Sequence, residues 1–208
     1  MVQGTLVAGA DSQFFRLDWA RSPDSAWDGT PDPISAGLVA LTISGAGGSQ
    51  PLVLRPGGFG VFVVTLPVLP ESTYTLSGTV DGATISATTT IPGPFSGTVP
   101  AGDTIVITTA TDCDFFCRVP FNLRSPGSAA SHFEAFGVGG ILRWSDQIDP
   151  DSAVFRIPED TLIASLAITA VDPNVFGYIG EATPRSSIAG GFGVFGSAVR
   201  VTKPVRWQ

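Results

Sequence analysis

The sequence predicts an all-β fold: two tandem β-sandwich domains of immunoglobulin-like type, residues 1–95 and 96–208. Three observations carry that expectation. Short runs in which apolar and small polar residues alternate recur along the chain, and period-two alternation is the mark of a half-buried strand. The 25 glycines and 17 prolines suit many short strands joined by tight turns. The cluster Pro92-Gly93-Pro94 then interrupts the pattern near the middle of the chain, and it restarts afterwards, as at a hinge over 92–97.

In order, 2–8 and 13–19 read as strands around Gly9-Ala10-Asp11. Residues 22–35 read as a loop carrying Pro23, Pro31 and Pro33 with Asp24, Asp28 and Asp32. Alternation returns over 38–43 and breaks at 45–48; 52–55 and 59–66 pair around Pro56-Gly57-Gly58. The firmest element is the hairpin within 70–95. Tyr74, Leu76 and Val80 alternate on one side, Ile85, Ala87 and Ile91 on the other, with Asp81-Gly82 between. A two-residue primed turn needs positive φ at both central positions, which Asp-Gly supplies. About seven strands in about 95 residues is the count of an immunoglobulin-like sandwich.

Beyond the hinge, strands are expected over 104–109, 115–123, 132–138, 141–144, 154–157 and 192–201. The run 162–171 is long enough for a helix, but its β-branched content and the Asp172-Pro173-Asn174 stop favour a buried strand. No segment reads as a firm helix. Only 158–164, opening on Pro158-Glu159-Asp160, has the start of a short one.

Composition excludes some functions. Charged residues make up 14%, below the roughly 25% usual in soluble domains, and Lys203 is the sole lysine. A net charge of −7 argues against nucleic acid, whose phosphates need clustered Lys and Arg. No stretch reaches the roughly 18 apolar residues of a membrane helix. The opening residues lack the basic and apolar regions of a signal peptide, so any targeting segment is expected to have been removed.

Side-chain chemistry is sparse. Cys113 and Cys117 with the single His132 do not assemble a tetrahedral zinc set, and a Cys113–Cys117 disulfide in an extracytoplasmic protein is the expectation, with reduced buried thiols the alternative. His132 and Glu134 share one face of a strand, but no nucleophile signature accompanies them. The aspartates of 24–32 and 146–151 lack the spacing of a calcium loop and suit turns beside proline. The glycines of 190–196 lack the lysine and the strand-to-helix setting of a phosphate loop and read as bends in a packed strand. No catalytic residue, metal ligand or cofactor is assigned.

Aromatic residues are the feature that rises above this background. Phe14, Phe15, Trp19, Trp27, Phe115, Phe116, Trp144 and Trp207, the last beside Arg206, lie at or near loops, the termini or adjacent strand positions. Neighbours on a strand point to opposite faces, so one of Phe14 and Phe15 faces outward. Aromatic surface in a charge-poor chain marks an interface.

The opening Val-Gln-Gly-Thr-Leu-Val-Ala-Gly with Phe-Phe-Arg-Leu, the block Thr-Tyr-Thr-Leu…Ala-Thr-Thr-Thr-Ile-Pro, the segment 170–174 with Tyr178, and 188–196 together resemble a bacterial family of extracytoplasmic lipoproteins of unknown function, often encoded beside TonB-dependent receptors. The resemblance implies a non-catalytic, export-side β-sandwich; the lipid-bearing cysteine is not seen in this sequence. The function expected is therefore that of a non-enzymatic scaffold docking on protein partners, a membrane-embedded assembly such as a photosynthetic or respiratory complex or a transporter. A carbohydrate-binding module is the alternative, and a hydrolase ranks below it.

Overall fold

The computed structural model describes residues 1–20, 32–93, 96–98, 104–108, 116–124, 132–138, 153–158, 164–179 and 183–208. They are almost entirely β. The chain divides into two compact units: unit 1 is Met1–Ile91 with Asp172–Ala198, and unit 2 is Pro92–Val171 with Val199–Gln208.

Unit 1 is built from two sheets. The first contains β1 (Val2–Val7), β2 (Gln13–Leu17), β6 (Val61–Val64) and β5 (Val53–Leu54), paired antiparallel in that order. On its far side β1 pairs in parallel with the start of β15 (Gly193–Trp207), from Val2↔Gly193 to Val7↔Ala198. The second sheet runs β4 (Gly48–Pro51), β3 (Val39–Gly45), β7 (Thr73–Val80), β8 (Ala83–Thr90). Alternate residues of both sheets turn inward, and Leu6, Phe15, Phe62, Leu41, Tyr74 and Leu76 make the centre of the core. The β7–β8 turn is as expected, with positive φ at Asp81 and Gly82. Leu52, buried between β4 and β5, marks where the chain leaves one sheet for the other. Gly48–Pro51, whose Gly48 is read from sequence as the end of a break, is an edge strand exposed at every residue.

Among the described residues one α-helix, α1 (Pro173–Ile179), follows the strand run and contradicts the helix-free expectation. Asp172 is its N-cap, its Oδ1 accepting from the Val175 N–H at 2.9 Å, and Pro173 occupies the first turn. The Asp-Pro-Asn stop thus ends a strand and starts a helix.

In unit 2, β11 (Phe116–Arg124) pairs antiparallel with β13 (Ala153–Pro158) and with β9 (Ser96–Thr98). The strand β12 (His132–Val138) pairs with β14 (Ser165–Val171), which settles the ambiguous run as strand. The short β10 (Ile105–Ile107) runs parallel to the end of β15, Ile105 opposite Val205 and Ile107 opposite Trp207. Cys117 is fully buried in β11, and no described cysteine is a free thiol; Cys113 lies outside the described residues.

The first division of the chain falls at Pro92, where a hinge is expected. The second expected domain, 96–208, does not hold as one piece, because 172–198 belongs to unit 1. The physical reason is the β1–β15 pairing. A parallel partner at the other end of the chain leaves no mark in local periodicity.

Candidate functional site

The stretch Gln-Phe-Phe-Arg-Leu of β2 sets the site by deciding which residues face out. Gln13 faces in, 1% exposed, because its amide closes the β1–β2 turn. Its Oε1 accepts from the Val7 N–H at 2.8 Å, and its Nε2 donates to the carbonyls of Val7 and Ala10, each at 3.1 Å. A buried polar side chain is tolerated when satisfied in this way. Phe15 therefore also faces in, 1% exposed, with its ring centroid 6.1 Å from that of Phe195. Phe14 faces out and is 51% exposed.

Register carries the outer face across three strands. Phe14 lies opposite Val63 of β6, and Val63 opposite Val53 of β5, which is 58% exposed. Arg55 follows β5, its N–H bonded to the Val61 carbonyl at 2.8 Å, and its guanidinium sits 5.6 Å from the Phe14 ring centroid. At the mouth of β6 the turn 56–60 presents Phe59, 80% exposed. Beside this row, Arg16 on β2 is bonded to Asp18 through both its Nε (2.8 Å) and an Nη (3.0 Å), and that carboxylate raises the Arg16 pKa. Arg55 has no ion pair among the described residues. A cation over an exposed ring is held by only about 0.5–1 kcal/mol, so Arg55 is available to a carboxylate on an incoming surface. The arrangement is apolar area with one guanidinium fork, without an ion pair among the described residues, at its centre.

The expected interface residues fall as follows. Phe14 and Trp19 are on the surface, and Trp19 N–H bonds to the Asp32 carbonyl at 2.8 Å. Phe15 is core and is corrected: it cannot meet a partner without unfolding the sheet. Arg206 and Trp207 form no loose tail; they are strand residues of β15 paired with Val106 and Ile107. Phe116 opens β11, while Trp27, Phe115 and Trp144 lie outside the described residues, as do the loop aspartates other than Asp32. Val53, Arg55 and Phe59 were missed. The signal for Phe59 was present, since a phenylalanine set in Pro56-Gly57-Gly58-Phe59-Gly60 sits on a turn tip with nothing to pack against.

Other features are structural. An open cleft of about 410 Å³ lies along 9–11 and 65–69, with Asp11 its only charged side chain. In the segment 170–178, Asn174 donates from Nδ2 to the carbonyls of Thr88 and Phe195, both at 2.9 Å, and Tyr178 accepts from Gln3 at 2.9 Å. These bonds sew α1 onto both sheets. The glycines of 190–196 are close approaches: a Cβ on Gly196 would fall 2.4 Å from a Val175 methyl, and one on Gly193 1.8 Å from the Val2 carbonyl oxygen. Among the described residues no three His, Cys, Asp or Glu side chains gather as a metal site, and no helix is long and apolar enough to cross a membrane.

No family model matches the chain, and no curated protein matches it. It is similar to a solved structure titled "Anomalous substructure of Titin-A168169", with 6% identity over 100% of this chain and 95% of that one and a TM-score of 0.29. At that TM-score the likeness adds nothing to the fold read from the strands themselves.

Proposed function

We propose that this protein works by contact: a non-enzymatic β-sandwich scaffold whose unit 1 docks on a protein partner through the outer face of β2, β6 and β5. The observation that carries this is Arg55, without an ion pair among the described residues, over exposed Phe14 and flanked by Val53 and Phe59. The Arg55 guanidinium favours a partner segment presenting a carboxylate among apolar side chains. The same reading takes the partner to be a membrane-embedded assembly and the location to be extracytoplasmic, supported by the charge-poor composition and the family resemblance. A Cys113–Cys117 disulfide belongs with that location and is supported by the buried, non-free Cys117.

Unit 1 is read as immunoglobulin-like on its own geometry. Tyr74, fully buried near the start of β7, donates from its hydroxyl to the Pro67 carbonyl at 2.9 Å and accepts from the Leu69 N–H at 3.0 Å. A tyrosine bonded back to the chain a few residues upstream is a mark of such sandwiches. The hydrolase reading loses support at its best hydroxyl–carboxyl group, Thr89, Asp172 and Ser197. All three are at most 2% exposed, so no substrate reaches them.

The test is a photo-crosslinking residue placed at Phe59 and, as a control, at Gln50 on β4, in the native membrane. The proposal expects one protein adduct from position 59 and none from position 50. Equal labelling at both positions, or labelling of neither, contradicts it.

A further inference from the structure

The buried group that the contact function does not use is Asp172. It is 2% exposed, and among the described residues β8, α1 and the first half of β15 turn Thr89, Val175, Gly196 and Ser197 toward it. None of these is charged. The titratable side chain of α1, Tyr178, bonds to Gln3 instead, and Arg200 of β15 bonds to Thr169.

Counting protons decides the state of the carboxyl. Three oxygen–oxygen contacts run in series: Asp172 Oδ2 to Thr89 Oγ1, Thr89 Oγ1 to Ser197 Oγ at 2.9 Å, and Ser197 Oγ to the Thr90 carbonyl at 2.9 Å. Each contact needs one proton between its oxygens. Thr89 and Ser197 supply one hydroxyl proton each, and the Thr90 carbonyl supplies none. With an ionised Asp172, two protons must serve three contacts, and two acceptors face each other in a dry site. With the neutral acid every contact is filled, Asp172 donating to Thr89, Thr89 to Ser197, and Ser197 to Thr90. The other carboxyl oxygen still accepts from the Val175 N–H, and the Asp172 N–H donates to the Ser197 carbonyl at 3.0 Å.

The relay also has a particular place in the chain. The chain passes between units 1 and 2 at 91/92, 171/172 and 198/199. Thr89 and Thr90, Asp172, and Ser197 lie within two residues of the first, second and third passages respectively. We propose that Asp172 is held as the neutral acid and that its proton closes a one-way clasp through Thr89 and Ser197, binding together the three points where the chain enters or leaves unit 1. Loss of the proton removes one link, so the clasp is a pH-sensitive fastening of the returning segment.

Burial raises the Asp172 pKa, with hydrogen bonds from Thr89, Val175 and Ser197 acting in the opposite sense. The folded value lies above the unfolded one, so the clasp stabilises fully below the unfolded carboxylate range and its contribution is lost as pH rises through the folded value.

Two measurements on the full chain test this. In a carbon-13 titration of the wild-type protein, the Asp172 carboxyl carbon is expected to stay at the neutral-acid position through the pH range in which the same carboxyl ionises in the urea-unfolded chain. Ionisation in step with the unfolded chain overturns the proposal whether or not any variant folds. In urea unfolding across pH, the unfolding constant of wild type relative to Asp172→Asn, whose amide donates to Thr89 without titrating, is expected to rise roughly tenfold per pH unit between the unfolded and folded values. A ratio that is flat with pH, or that falls as pH rises, overturns it.

Discussion

The two faces of the β1–β2–β6–β5 sheet differ in what holds them. On the inner face, Phe15, Leu17, Phe62 and Val64 are each at most 2% exposed, and Phe15 and Phe195 sit ring against ring. On the outer face, Phe14, Val53 and Phe59 stand largely in solvent with one arginine among them. Phe14 and Phe15 are adjacent in sequence and identical in chemistry, so composition cannot separate their roles; the pleat does. One phenylalanine is spent on folding, and the other stands half in solvent.

That contrast predicts a graded series. Phe15→Ala is expected to cost about 3–5 kcal/mol in urea unfolding, the range for emptying a buried aromatic site. Gly4→Ala comes next. It lies on the inner face, where an added Cβ would fall 2.0 Å from a Phe15 ring carbon, so overpacking of about 1–3 kcal/mol should appear as a lowered unfolding midpoint. Asp18→Asn removes the Arg16 ion pair of the outer face and is expected to cost below about 1 kcal/mol, with the loss shrinking at high salt. Phe14→Ala should move stability by no more than about 0.5 kcal/mol. If Phe14→Ala cost as much as Phe15→Ala, the outer face would be a covered core surface and the comparison would collapse.

Much of the fold was legible because it is local. The Asp81-Gly82 hairpin, the strand pairs at either end of 2–19 and 52–66, and the boundary at Pro92 all follow from alternation and turn chemistry. That one of Phe14 and Phe15 faces out was also legible; which one was not. The choice rests on Gln13, a polar residue that alternation assigns to solvent and that three turn hydrogen bonds draw inside.

The return of the chain was hidden for another reason. The stretch 193–199 is buried without interruption, whereas 200–207 alternates between exposed and half-buried residues. The first half of β15 is covered on both faces because α1 packs over it; Gly196 makes room for that helix and Gly193 for the β1 backbone. Sequence gave those glycines as bends, which is right locally, but nothing local named β1 as the partner. α1 itself was announced by an N-cap aspartate and a first-turn proline, and a seven-residue helix after a β-branched run is easily read as the run's terminator. Val53 and Arg55 entered the candidate site only through register, which places residues ten and more apart in one row.

The central claim is that the outer face binds and does not fold the protein. The most direct measurement is co-purification of the native partner with a Phe14→Ala/Arg55→Glu/Phe59→Ala variant, whose unfolding midpoint is measured on the same preparation. The account predicts a midpoint within about 1 kcal/mol of wild type, the sum expected for exposed positions, together with loss of the partner. A variant that folds normally and retains its partner at wild-type stoichiometry contradicts it.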